Sequence, residues 1–87
     1  MPTILRFAGL RVAIYTVAIY TNDHRPAHVH VIGDGCEAVF EMNCEGGPIS
    51  LRENYGFALV RMRKIKIVLQ EHKSVLCLAW ERIHGTV

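Results

Sequence analysis

The apolar residues of this chain change their spacing near residue 57, and this change limits what the chain can fold into. Before it, short runs rich in β-branched and aromatic residues lie between turn-forming residues, which is typical of strands. After it, the apolar residues from Ala58 to Ile83 recur at alternating steps of four and three, which places them on one helical face. Strands followed by helices predict an α+β fold, in which an antiparallel sheet of about four strands carries two C-terminal helices on one face.

The turn residues give approximate boundaries, with strands expected within residues 3–51 and helices within 58–84. One helix over the whole apolar stripe would be roughly 40 Å long, which is longer than so small a domain is wide. A break is therefore expected near residues 72–74, with Ser74 capping the second helix. The expected strands are Ile4–Phe7, Arg11–Thr21, His28–Ile32 and Cys36–Met42, and Ile49–Leu51 could add a short edge strand.

Length and composition narrow the class of protein. The 87 residues suffice for a single domain, residues 1–87, and a hydrophobic content of 51% argues against disorder. A net charge of +2 does not by itself indicate a nucleic-acid-binding protein. We expect no membrane segment and no signal peptide, and therefore a cytoplasmic protein. The three cysteines are odd in number without metal-type spacing, which predicts reduced cytosolic thiols.

Three histidines within seven residues form the best candidate site: His24, His28 and His30. On a strand, His28 and His30 point to the same face with their Cα atoms roughly 6.6 Å apart. Such a pair could perform acid–base chemistry with Arg25 holding a phosphate, and Asp23 or Glu37 could orient a ring. It could instead bind a metal with His24 as a third ligand, or be half-buried strand residues bonded to backbone. We assign no metal and no cofactor.

The first expected helix presents a second candidate surface. Its basic residues could contact nucleic acid or form a solvated helix face, and we select Arg61 and Lys64 as binding candidates. Val60 and Ile67 lie seven residues apart on the side away from the apolar stripe, where polar residues are usual. They could be scattered exposed hydrophobes or the edge of a partner-binding surface, and we favour the second.

A five-residue segment occurs twice in succession, as Val12–Thr16 and Val17–Thr21. Because five is odd and the strand period is two, each residue of the second copy faces the opposite side from its twin in a regular strand. Both faces would then be largely apolar. This predicts a bulge or overhang, with the surplus apolar face covered by a second copy of the chain in a homodimer.

A family resemblance rests on the run Asn22–Val31, Asn-Asp-His-Arg-Pro-Ala-His-Val-His-Val. With the opening Pro2–Phe7 and the run Glu53–Phe57, it resembles a bacterial family known as domain of unknown function 4160. The chain departs from that family at Ala27, where a second proline is usual, and in its duplicated segment. Val60 and Ile67 also stand where charged residues are expected.

The resemblance implies a toxin-like component of a toxin–antitoxin-type gene pair, which acts on RNA beside a small cognate partner protein. It carries over no catalytic residues. The resulting hypothesis is a metal-independent ribonuclease with His28 and His30 as the acid–base pair and Arg25 as the phosphate contact. The alternatives are a non-enzymatic binding or regulatory module, antitoxin-like or oligomeric, and a histidine-based metal-binding protein.

Overall fold

A computed structural model of the chain describes residues 3–14 and 27–84. Each strand of its sheet pairs antiparallel with the next strand along the chain, so the order in the sheet is the order in the sequence. The expected α+β fold is confirmed, with five strands in place of about four. The elements are β1 (Thr3–Phe7), β2 (Leu10–Ala13), β3 (His28–Gly33), β4 (Cys36–Glu41), β5 (Ser50–Tyr55), α1 (Leu59–Glu71) and α2 (Lys73–His84).

Two tight turns join the strands at one end of the sheet. Ala8 and Gly9, with φ of 47° and 76°, connect β1 to β2, and Asp34 and Gly35, with φ of 52° and 73°, connect β3 to β4. Positive φ at both positions is the hairpin geometry that matches the twist of the strands, and it favours glycine at the second position. These turns therefore fix the register of the two hairpins.

One face of the sheet forms the main core with the helices. The register sets Val12 beside Val31 and Val29 beside Phe40, so their side chains share a face. Burial of these apolar side chains is the main favourable term in folding. The buried core residues include Leu10, Val12, Ile14, Val29, Val31, Ala38, Phe40, Met42, Ile49, Phe57, Met62, Ile65, Leu69 and Leu76.

The other face of the sheet is also buried at its centre. The register sets His30 between Ala13 and Val39. All three residues are buried, although they point away from the main core. The histidine at this position therefore lies inside the protein rather than on a solvated sheet face.

The expected break between the helices is confirmed. α1 ends at Glu71 and α2 begins at Lys73. His72, not Ser74, occupies the junction, and its Nδ1 donates a hydrogen bond to the carbonyl of Val68 at 2.9 Å. Within the described residues, neither helix is long and apolar enough to cross a membrane.

The fifth strand differs from the expectation of Ile49–Leu51. It covers Ser50–Tyr55, which moves the strand region beyond residue 51. This segment is polar and does not alternate between apolar and polar residues, so its sequence alone does not indicate a strand. It is a strand because it pairs with β4. Its end is set by Asn54, whose side chain accepts from the backbone N–H of Phe57 and donates to its carbonyl.

The expectation of reduced cysteines is wrong for two of the three. Cys44, in the β4–β5 connection, and Cys77, in α2, form a disulfide with a Cα–Cα distance of 5.9 Å. The two are 33 residues apart, and only the packing of α2 beside the end of β4 brings them together. Their spacing in the sequence therefore gave no sign of the bond. Cys36 is the free cysteine.

The duplicated segment lies mostly outside the described residues. Of the strand expected at Arg11–Thr21, the structure describes the part up to Ile14. The bulge, the overhang and the homodimer therefore stay predictions.

Candidate functional site

His28 and His30 lie on the same face of β3, as their spacing predicts. Their ring centroids are 5.3 Å apart and the rings meet edge to face at 68°. His30 is in the middle of the sheet, and His28 is at the beginning of the strand and half-buried. The two imidazoles are therefore neighbours on one face of the sheet, and His28 is the more accessible of the two.

Glu37 orients the ring of His30. Its Oε2 lies 2.9 Å from His30 Nδ1, and the two residues are diagonal neighbours on β3 and β4. The His30 side chain is 11% exposed and that of Glu37 is 37% exposed. A carboxylate accepts hydrogen bonds, so Nδ1 donates and, in the neutral ring, Nε2 carries the lone pair. This pairing realises the expected role of Glu37 as an orienting carboxylate.

Trp80 connects α2 to the histidine pair. Its ring centroid lies 5.0 Å from that of His28 with an angle of 55° between the planes. The sequence places Trp80 beside the apolar stripe and indicates a core residue. It does pack against the core, but it also contacts the candidate site. No local pattern could predict this contact, because it depends on how α2 is placed relative to the sheet.

Tyr55 and Glu53 add polar groups on β5. The Tyr55 hydroxyl donates to Glu53 Oε2 at 2.8 Å, and Tyr55 lies opposite Glu37 in the register. The hydrogen bond to Glu53 raises the pKa of Tyr55, and the negative charges of Glu53 and Glu37 with some desolvation raise it further. These residues were missed in the sequence because the strand that carries them was not expected there.

Arg11 is a further cation on this face of the sheet. It pairs with Ile32 on β3, next to the pair of Ala13 with His30, so its position alternates onto the same face as His30. Arg11 is half-buried. The predicted site residues His24 and Arg25, with Asp23, lie outside the described residues.

The structure separates the histidine pair from the second candidate surface. α1 packs on the main core face, whereas His28 and His30 lie on the opposite face of the sheet. Val60 and Ile67 are 63% and 60% exposed, which confirms that they lie away from the core. Lys64 is also exposed.

Arg61, the other basic candidate on α1, is held in place by two contacts. Its Nη2 pairs with Asp34 Oδ2 at 2.7 Å. Its guanidinium lies 5.4 Å from the centre of the Phe57 ring. The carboxylate of Asp34 therefore compensates part of the positive charge of Arg61 within the protein.

No three metal-ligating side chains converge within residues 3–14 and 27–84. His28 and His30 with Glu37 do not form such a group on their own. A metal site would need ligands from elsewhere, and His24, the expected third ligand, is not among the described residues.

Comparison with known proteins gives one result. The family model for Domain of unknown function (DUF4160) matches residues 15–81, which is more than half of the chain and includes the histidine motif. No curated protein and no solved structure matches significantly. The match confirms the resemblance drawn from the residues, and the chain belongs to the DUF4160 family.

Proposed function

We propose that this protein is the toxin-like member of a bacterial toxin–antitoxin-type pair and that it cleaves RNA in the cytoplasm without a metal ion. His28 and His30 are the acid–base pair, and Arg25 contacts the phosphate. One observation carries this proposal: His30 Nδ1 is fixed by Glu37 at 2.9 Å while the His28 ring lies 5.3 Å away. A base held in one tautomer beside a second titratable ring is the arrangement that acid–base catalysis requires.

The roles follow from the hydrogen bond. His30, with Nδ1 donating to Glu37, accepts the proton of a ribose 2′-hydroxyl at Nε2. This atom is buried in the free protein, so the RNA must first displace the groups that cover it. The 2′-oxygen attacks phosphorus, and the bond from phosphorus to the 5′-oxygen breaks. His28 gives its proton to that leaving oxygen. The products are a 2′,3′-cyclic phosphate and a 5′-hydroxyl, and proton exchange with water restores both rings.

Two arginines supply positive charge for the phosphate. Arg25 is adjacent to the histidine motif in the sequence, and Arg11 is on the same sheet face as His30. Guanidinium groups bind phosphate oxygens with two parallel hydrogen bonds and keep their charge at any physiological pH. They also offset the carboxylates of Glu37 and Glu53, which by themselves would repel RNA.

The test is RNA cleavage by the purified protein, with its His28→Ala and Glu37→Gln variants. Positioned acid–base groups typically contribute roughly 10²–10⁴ in rate, so His28→Ala should lose at least about 100-fold. Glu37→Gln keeps a similar shape but accepts less well from Nδ1 and should lose less. His72→Gln is the matched control, because His72 bonds to Val68 in the helix junction and lies outside the cluster.

Two further conditions make the test specific. The same oligonucleotide with 2′-deoxyribose at the cleaved position should remain intact, and a chelator should not slow the reaction. Cleavage that survives His28→Ala, or that proceeds on the 2′-deoxy substrate, contradicts the assignment. Circular dichroism of each variant establishes that the loss does not reflect unfolding.

A second candidate function is a non-enzymatic module that binds a partner protein. It is supported by the exposed apolar residues of α1, which are Leu59, Val60 and Ile67. Large apolar side chains on an outer helix face are typical of interaction surfaces when they cluster. Induced expression in bacteria separates the two candidates. A toxin arrests growth and His28→Ala relieves the arrest, whereas a binding module leaves growth unchanged.

A further inference from the structure

A groove lies between the β1–β2 turn and the first half of α1, on the opposite side of the sheet from the histidine pair. Its volume is about 470 Å³, within the range of small-molecule sites. Leu10 and Ile65 are fully buried beneath it, and Val60 is exposed at its rim. Its lining consists of Phe7, Ala8, Leu10, Ala58, Val60, Arg61, Lys64, Ile65 and Val68, all within the described residues.

Small residues and a close backbone contact keep this groove open. Ala8 and Ala58 both line the groove, and larger side chains at these positions would fill part of the space. Leu10 is pressed against Gly33, since a Cβ at Gly33 would lie 2.6 Å from Leu10 Cδ2. Leu10 is therefore fixed by packing beneath the groove, and the groove is part of the folded structure.

The two charged residues that line the groove, Arg61 and Lys64, are both basic. α1 carries Arg61, Arg63, Lys64 and Lys66, and Glu71 at its end is its one acidic residue. Arg61 is neutralised in part by Asp34, whereas Lys64 is exposed beside the apolar lining. The first turn of α1 contains no acidic residue and no capping side chain. An anionic group at the rim is thus favoured by Lys64.

We propose that the groove binds a free anionic amphiphile, a molecule with one apolar chain and one carboxylate head. The chain would lie on Phe7, Val60 and Val68, which line the groove and keep exposed surface, and the carboxylate would pair with Lys64. A second copy of this helix face would bring cations against cations. A peptide main chain bound here would lose its hydrogen bonds to water, and the lining has few polar side chains to replace them. This site is independent of the proposed RNA cleavage.

The probe is dodecanoate, titrated into the full-length protein below its micelle concentration and followed by calorimetry. Val60→Ser removes apolar contact at the rim and should weaken binding roughly 3- to 10-fold, in line with the free energy of burying part of a valine side chain. Lys64→Gln should weaken it roughly 2- to 5-fold, as expected for an exposed ion pair. Both residues are exposed, so both variants should fold.

The same helix supplies matched controls. Ile67→Ser changes an equally exposed apolar residue and Lys66→Gln an exposed cation, and neither residue lines the groove. Both control variants should bind dodecanoate like the wild type. Dodecyltrimethylammonium, which has the same chain with a positive head, should bind at least several-fold more weakly.

Three outcomes overturn the proposal. The first is no binding of dodecanoate at millimolar concentration, and the second is an equal loss in the groove and control variants. The third is preference for another occupant. Anionic phospholipid vesicles, or an acidic amphipathic helical peptide, would then bind with the same dependence on Val60 and Lys64 while dodecanoate does not.

Discussion

Removing the disulfide between Cys44 and Cys77 is expected to destabilise the protein strongly. The bond closes a loop between residues that are 33 apart. In the chain-entropy model, closure of such a loop lowers the entropy of the unfolded chain by about 12.5 cal/mol/K, or about 3.7 kcal/mol at room temperature. Measured losses for native disulfides are often smaller than this figure, so Cys44→Ser with Cys77→Ser should lower the free energy of unfolding by about 2–4 kcal/mol.

Urea and thermal unfolding measure this loss, with Cys36→Ser as the matched control. Cys36 is the free cysteine, so its replacement removes a thiol without removing the crosslink. For a domain of this size, about 2 kcal/mol corresponds to a fall in Tm of at least about 8 °C. Dithiothreitol should destabilise the wild type and the control by the same amount and leave the double variant unchanged.

The same experiment reports on the histidine site. Trp80 is the single tryptophan, it lies within one turn of Cys77 in α2, and it contacts His28. Reduction at a temperature where the protein stays folded should therefore change tryptophan emission as α2 loosens. The reasoning is refuted if the double variant unfolds at the same urea midpoint as Cys36→Ser, or if the wild type has three free thiols after denaturation without reductant.

Three single substitutions test other parts of the structure. Gly33→Ala should lower the free energy of unfolding by about 1–3 kcal/mol, because the added Cβ would clash with Leu10. The double variant with Leu10→Ala should lose less than the sum of the two single losses. Leu69→Ala, in the fully buried core, should cost about 2–5 kcal/mol in urea unfolding. Glu53→Gln should lower the pKa of Tyr55, because the hydrogen bond to the Glu53 carboxylate is the main cause of its raised pKa. NMR of the phenol carbon at alkaline pH measures this titration, and an unchanged titration would contradict the prediction.

The parts of the fold that depend on local sequence were predicted. Asp34 and Gly35 form the turn that their residue types indicate, because Asp and Gly tolerate the positive φ that both positions of this turn require. The change of apolar spacing predicted the order of strands and helices, and the length limit on one helix predicted a break near residues 72–74. His28 and His30 share a face because the strand period requires it.

The parts that depend on distant pairing were not predicted. Glu53 and Tyr55 lie in a strand that exists because β4 pairs with it, and its own residues do not alternate between apolar and polar. The contact of Trp80 with His28 and the bond of Cys77 both depend on where α2 lies. Sequence spacing carries no information about these two contacts of α2, since each joins residues more than 30 positions apart.

The last prediction concerns the duplicated segment, and it rests on the burial of the described part of β2. Leu10, Val12 and Ile14 are buried on the main core face, and Ala13 is buried on the other, so the end of β2 at Ala13 is buried on both faces. The described pairing of β2 with β3 involves Arg11, Val12 and Ala13, so deleting residues 17–21 should leave this pairing in place. We expect the deletion variant to fold, and to self-associate less than the wild type because a surplus apolar surface is gone. Sedimentation at micromolar concentration measures both masses, and a deletion variant that is unfolded, or that dimerises as well as the wild type, means that the repeat is not a dimer element.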